Sequence, residues 1–289
     1  MGWLIDSISD WVKQLLIDSI MANFMKMFDE VNAQVQDISA QVGQTPAGWN
    51  PGVFAMVRAL SETVVIPIAG MVLTYVLCHE LIQLVIEKNN LSDFDTFNIF
   101  KWIFKTFVAV FILTNTFNIV MGVFDMGQHV VTRSAGIISG RLTLGDSAMM
   151  GTIHASLELM GVGELAGLFF EVQVVRFCMF AMSIVIMVIV WGRMLEIYLT
   201  VSIAPIPFST MANHEWGQIG TNYLKSLFAL AFQGFLMMIC VAIYAVLVAG
   251  IASSDNMHAY IWTMAGSAAL LCFMLLKSGS ISKAIFSAA

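Results

Sequence analysis

Five stretches of this sequence, residues 63–86, 102–124, 174–200, 223–251 and 259–276, are apolar over close to the roughly 20 residues that an α-helix needs to cross a hydrocarbon layer. A chain with five such runs satisfies its backbone hydrogen bonds in lipid only by making each run a helix. The composition agrees: 59% of residues are hydrophobic, 11% are charged, and the mean hydropathy is +0.85. The expected fold is an all-α integral membrane protein with about five transmembrane helices. An N-terminal amphipathic helix and a central extracytoplasmic segment of short helices complete it.

Residues 1–62 read as an N-terminal amphipathic and extracytoplasmic region. Acids stand where a signal peptide carries its basic region, so this segment is expected to stay on the mature protein. Leu4, Ile8, Trp11, Val12, Leu15 and Met21 fall on one helical face, with Asp6, Asp10, Lys13, Gln14 and Asp18 opposite. That pattern fits a helix lying in the membrane interface or packed on a partner, and the acids favour the partner. A polar helical stretch over 29–44 and the breaker cluster TPAGWNPG precede the first span. Residues 63–124 hold the first two helices and a short basic cytoplasmic loop. Residues 125–173 are rich in Gly, Ser and small side chains. There Ile153, Leu157, Met160 and Leu168 recur near helical spacing, as expected of short surface helices. Residues 174–277 carry the third to fifth helices with a proline turn at 205–207, and 278–289 form a short cytoplasmic tail.

Orientation rests on charge. Lys88, Lys101, Lys105, Arg193, Lys225, Lys277 and Lys283 flank one side of the spans. Lys13, Lys26, Arg58, Arg133, Arg141 and Arg176 lie on the other, mostly in long segments where the positive-inside rule counts them less. Most of the nineteen acids also fall on that second side. The expectation is an outward N-terminus, a cytoplasmic C-terminus and residence in the cytoplasmic membrane.

Polar residues inside the spans mark where helices meet partners or water. The first helix carries His79, Glu80, Gln83 and Glu87 near its cytoplasmic end, either reaching water at the interface or facing a conduit or partner. The second places Lys105 to snorkel to the interface. Its Asn115 and Asn118 lie on one face and are expected to hydrogen-bond across helices. In the third, Arg176 and Arg193 bracket an apolar run, each at an interface, and Arg193 is spaced to pair with Glu196. The helix then stops before Pro205, and Pro207 is expected to prevent immediate resumption. Asn213 or Thr210 is positioned to cap the next helix. Along that helix Asn222, Ser226, Ala229, Gln233, Cys240 and Tyr244 form a stripe of small or polar side chains, with Gly234 allowing close approach. It reads as an assembly face, with lining of a path as the alternative.

Chemistry is absent from the pattern. The four cysteines, Cys78, Cys178, Cys240 and Cys272, lie inside apolar runs without metal spacing. His79 and Glu80 do not extend to an HExxH pair, and no phosphate loop or nucleophile constellation occurs. No catalytic residue, cofactor or metal site is expected. A net charge of −6 argues against a general nucleic-acid-binding surface.

The segments SIAPIPFSTM (202–211) and GTNYLKSLFALAFQGF (220–235), with ETVVIPIAG (62–70), HELIQLVIEKNN (79–90) and FKTFVAVFILTNTFNIVMGVFDMGQ (104–128), resemble the TrbL-like family. These are polytopic membrane-channel subunits of conjugative type IV secretion systems, and the chain is most similar to the compact forms on mobile elements of monoderm bacteria. The proline turn followed by the NYLK…QG helix is the most specific part. The resemblance implies about five spans, an outward N-terminus and a central extracytoplasmic segment. It also implies a homo-oligomer associated with other secretion membrane subunits, the secretion ATPase and the coupling protein. The function implied is to help pass a relaxase-linked DNA strand across the membrane, with transient contact to that DNA. With a tail only at 278–289, any tail-borne role of longer relatives is not expected here. The alternatives are a small-solute transporter or channel, for which no paired broken helices are evident, and a purely structural scaffold for other secretion subunits.

Overall fold

A computed structural model of the chain describes residues 2–87, 96–139, 147–251 and 257–288. Lys88 and Arg141, which enter the charge argument, lie outside the described residues, as do the side chains of Leu4, Asp6 and Glu87. Every described element is a helix: α1 Gly2–Val42, α2 Pro46–Trp49, α3 Pro51–Leu60, a π-helical turn Ser61–Val65, α4 Ile66–Glu87, α5 Thr96–Thr114, α6 Thr116–Ser139, α7 Ser147–Glu158, α8 Val162–Ile203, α9 Pro205–Thr210, α10 Gly217–Ile251 and α11 Met257–Ile285. Among the described residues five helical stretches are long and apolar enough to cross a membrane: Pro51–Ile86, Phe97–Thr114, Val162–Ile203, Gly217–Val248 and Met257–Ile285.

Local chemistry explains the boundaries. No Gly or Pro interrupts residues 3–42, so the amphipathic and polar stretches read separately in the sequence fuse into one 41-residue helix. The TPAGWNPG cluster supplies two helix starts. Thr45 Oγ1 accepts from Gly48 N at 3.1 Å with Pro46 in the first turn, and Asn50 Oδ1 accepts from Val53 N at 3.0 Å with Pro51 in the next. The first membrane-length helix therefore begins at Pro51.

The second span differs more. The apolar run 102–124 is divided at Asn115, ending α5 and starting α6. Thr114 Oγ1 donates to Val110 O at 3.0 Å, Asn115 Nδ2 to Phe111 O at 2.9 Å and Thr116 Oγ1 to Ile112 O at 2.8 Å. Three consecutive side chains bond the carbonyls of the preceding turn and compete with the backbone ladder there. The central segment is likewise not a set of separate short helices. Residues 125–139 continue α6 and residues 162–173 open α8, leaving α7 as the one short helix described between them. Its expected apolar positions Ile153, Leu157 and Leu168 are buried.

By contact the chain falls into two compact units: Met1–Gly43, Thr132–Val190 and Leu236–Lys277 in one; Gln44–Val131, Trp191–Phe235 and Ser278–Ala289 in the other. In the first, α1 buries Ile17, Ile20, Phe24, Met27, Val31, Val35, Ile38 and Val42, spaced three or four residues apart. Tyr260 closes on Phe24 and Phe28 with ring centroids 5.9 and 6.5 Å away. Arg176 donates to Asn23 Oδ1 at 2.6 Å and lies 3.8 Å from Glu30, so this arginine is tied to α1 rather than simply marking an interface. Ile8, Trp11 and Leu15 of the expected apolar face remain exposed.

In the second unit Val57, Phe117, Phe124, Met194, Tyr198, Phe208 and Leu230 belong to one core cluster. Tyr198, 4% exposed, donates its hydroxyl to Pro46 O at 2.6 Å and so fastens the TPAGWNPG segment to α8. Replacing Tyr198 by Phe keeps the ring and removes that bond. The expected cost is about 1 kcal/mol, a drop of about 2 to 4 °C in the thermal unfolding midpoint of the detergent-solubilised protein. An unchanged midpoint would show that the bond holds nothing.

Candidate functional site

The expected break at the prolines occurs, with a difference in kind. The α8 helix ends at Ile203, and α9 starts at once with Pro205 in its first turn. Proline at the first position forfeits an N–H that has no helical partner there, so Pro205 and Pro207 restart a short helix instead of preventing one. The longer interruption is 211–216. There Asn213 Oδ1 accepts from Glu215 N at 2.7 Å and Trp216 N at 3.1 Å, in its expected capping role ahead of α10. Gly220 is required one turn later, because a Cβ there would run into the Met211 side chain and Pro207 O. Tyr223 secures α10 to the end of α8 by donating its hydroxyl to Thr200 O.

Against this turn lies the polar end of α4. Trp216 stacks against both Tyr75 and His79, each ring centroid 5.6 Å from its own, and Gln83 Nε2 donates to Glu215 Oε1 at 3.2 Å. Glu80 is paired with Lys105 of α5. That lysine therefore serves an ion pair within the chain, not only a snorkelling role.

Along α8 and α10 the polar residues of the spans converge. Arg193 is 7% exposed, with its guanidinium against Gly234: a Cβ at position 234 would stand 2.7 Å from Nη2 and 3.1 Å from Cζ. Gly234 thus makes room for an arginine of the same chain. Arg193 and Glu196 interact through their charges, as their spacing leads one to expect, and Glu196 Oε1 also accepts from Lys283 Nζ at 3.4 Å. Arg193 is buried within the protein, and its Nε has no hydrogen-bond partner.

One residue before the glycine, Gln233 is 8% exposed and donates Nε2 to Ser278 Oγ at 3.3 Å. Gly279 leaves space for the amide, since a Cβ there would lie 3.2 Å from Nε2, and Ser282 donates to Ala229 O. Ser278, Gly279 and Ser282 were not singled out by sequence reasoning, which placed them in a tail. The signal available was their small-residue spacing on a continuing helical period, and α11 does run on to Ile285.

The structure therefore joins Arg193 to Gly234 directly, and Gln233 and Glu196 to the end of α11. Glu80 and Gln83 belong to the α4 group, and Asn222 and Ser226 are half-buried, with Ser226 donating to Asn222 O at 3.1 Å. The expected interhelical bond of Asn115 is not formed, its amide being spent on its own helix, and Asn118 is exposed. Among the described residues no group of three or more His, Cys, Asp or Glu is placed to hold a metal ion.

This is the construction of a polytopic helical membrane protein whose buried polar groups lock its own helices together. The chain belongs to the TrbL/VirB6 plasmid conjugal transfer-like protein family, whose model matches residues 31–205, more than half of the 289-residue sequence. It is a multi-pass membrane component of a conjugal transfer apparatus. No curated protein and no solved structure compared with the chain matches it.

The Arg193–Gly234 contact makes a coupled prediction. Gly234→Ala adds a methyl into the guanidinium and should destabilise by about 1 to 3 kcal/mol. Arg193→Met in that background should recover part of the loss, with a coupling of at least about 0.5 kcal/mol in a double-mutant cycle read by thermal unfolding. Additive effects would mean that the two side chains do not share the space.

Proposed function

We propose that this chain is a membrane-embedded channel or scaffold subunit of a type IV secretion apparatus that helps pass a relaxase-linked DNA strand across the cytoplasmic membrane. The observation that carries this reading is the conjugal-transfer family match over 31–205 on a chain with five membrane-length helices. Arg193, Gln233 and Gly234 are occupied within the chain, which favours wall building and scaffolding over direct lining by those residues. Glu80, Gln83, Asn222, Ser226 and Asn118 keep partial or full exposure and are the candidate contacts to neighbouring subunits or substrate.

Assembly as a homo-oligomer with other secretion membrane subunits, the secretion ATPase and the coupling protein belongs to the same reading. Its energy source is then a partner. The outer faces suit such an assembly in lipid: Phe97, Phe100, Phe104, Phe107 and Phe111 repeat at three- and four-residue spacing on α5, all more than half exposed. The N-terminus is outside and the C-terminus cytoplasmic. With this orientation the region before the first span and the connection between the second and third spans lie outside, and the end of α11 points to the cytoplasm.

Deleting the gene should reduce conjugative transfer to background, with recovery on complementation. Photo-crosslinkers at Gln83, Asn118 and Asn222 should capture transferring DNA if the chain lines the path, and neighbouring subunits alone if it is a scaffold. Wild-type transfer by the deletion strain would overturn the reading. Orientation is tested separately, with Ser7→Cys and Ser287→Cys in a variant lacking the native cysteines. The first should label with an impermeant thiol reagent from outside and the second only after the inner face is opened; the reverse pattern would invert the topology.

A further inference from the structure

Along α11, Thr263, Gly266, Leu270, Phe273 and Lys277 follow at i, i+3, i+7, i+10 and i+14, so they share one face of the helix, and all five are exposed. Beside the first part of that face α10 does not close on α11. Leu247, Thr263, Gly266, Ser267 and Leu270 line an open groove there of about 250 Å³, within one compact unit. Gly266 opens it, since a Cβ at that position would meet no atom within 4 Å.

The groove offers a polar ligand little to hold. Thr263 Oγ1 donates to Ala259 O at 2.6 Å and Ser267 Oγ to Met264 O at 2.7 Å, so both hydroxyl protons are occupied on α11 itself. What remains is the apolar flank of Leu247 and Leu270, which suits hydrocarbon and would leave a polar group without partners. At the other end of the same face, Lys277 stands directly after the apolar run 259–276, its Nζ 5.9 Å from the centre of the Phe273 ring. A lysine so placed lays its stem on apolar surface and puts its ammonium among the headgroups.

We propose that this face of α11 binds an anionic phospholipid, with the phosphate at Lys277 and one acyl chain running past Phe273 and Leu270 into the groove. The lengths agree. Ser267 and Gly266 stand ten and eleven residues before Lys277, about 15 to 16 Å at helical rise, and one leaflet's hydrocarbon is about 15 Å deep, half of a roughly 30 Å core. A chain anchored at Lys277 therefore ends where Gly266 makes room. A zwitterionic lipid carries its own cation beside the phosphate and gains less from the lysine. A neighbouring helix packs closely through small residues along its contact, whereas here Leu270 and Phe273 stand out between the glycine and the lysine. The proposal goes beyond the DNA role and can fail or hold without touching that reading.

The test uses the full-length protein in phosphatidylcholine nanodiscs holding a minority of phosphatidylglycerol with a diazirine at the end of one acyl chain. After illumination, mass spectrometry should place the main adducts on residues 263–270, and unlabelled phosphatidylglycerol should compete them away. Lys277→Gln should cut this labelling about fivefold, equivalent to about 1 kcal/mol for one basic side chain at an anionic surface, and Lys277→Arg should keep it. Gly266→Leu fills the groove without touching the lysine and should remove the adducts from this stretch. Both positions are exposed, so the variants should fold, and unfolding midpoints check this. Unchanged labelling in Lys277→Gln or Gly266→Leu, or equal labelling by the same probe built on phosphatidylcholine, overturns the proposal. So do adducts spread evenly over exposed apolar faces such as the α5 phenylalanines, which would mean bulk lipid only. Absence of adducts together with loss of an oligomer in Gly266→Leu would assign the face to a neighbouring helix instead.

Discussion

A polar side chain inside a spanning helix has no water to fall back on, and that constraint orders much of this molecule. Gln233 places its amide on Ser278, Glu80 takes Lys105, and Ser282 reaches the Ala229 carbonyl. Each bond is modest in membrane proteins, roughly 0.6 to 2 kcal/mol, but the alternative is an unsatisfied donor in hydrocarbon. These groups therefore fix which helices approach and at what register. Gly234 and Gly279 matter because they vacate the volume that a guanidinium and an amide occupy. Asn115 shows the other solution: with a carbonyl of its own helix in reach its amide turns back to Phe111 O instead of gaining a neighbour.

The same polar chemistry punctuates the chain. Thr45, Asn50 and Asn213 each bond backbone N–H groups that a helix start leaves without partners. Proline follows the cap at 46 and 51 and opens α9 at 205, in each case near a helix start where its missing donor costs least. Where such signals are absent, as through α1 and from Val162 to Ile203 in α8, the helix simply continues. Those two helices, 41 and 42 residues long, exceed what a bilayer requires.

In a subunit of a transfer apparatus, this arrangement divides the work between inside and outside. The buried Gln233, Ser282 and Tyr198 spend their polar groups on the chain itself. Large apolar side chains on α4, α5 and α8, among them Met71, Phe107, Phe177 and Leu199, face outward. Such a surface suits lipid and neighbouring subunits. Partial exposure at Gln83 and Asn222 leaves polar contacts beside it.

The sequence by itself determined the helical class, the number of membrane-length helices, the break before Pro205, the Asn213 cap and the family, because each is written in local composition, spacing or motif. Hydropathy over about 20 residues and a proline without an N–H act on the chain wherever it folds. The destinations of the polar residues were decided only by tertiary structure. Nothing local distinguishes a Gln233 that meets a second subunit from one that meets Ser278 of its own chain, and nothing in i, i+3 spacing reveals that Glu196 would also meet Lys283, 87 positions away. The division of the 102–124 run at Asn115 was also hidden, because hydropathy averages over three residues whose side chains compete for one turn of carbonyls. Helix propensity and apolar length are properties of a segment, whereas a hydrogen bond between residues 45 positions apart exists only once packing brings them together.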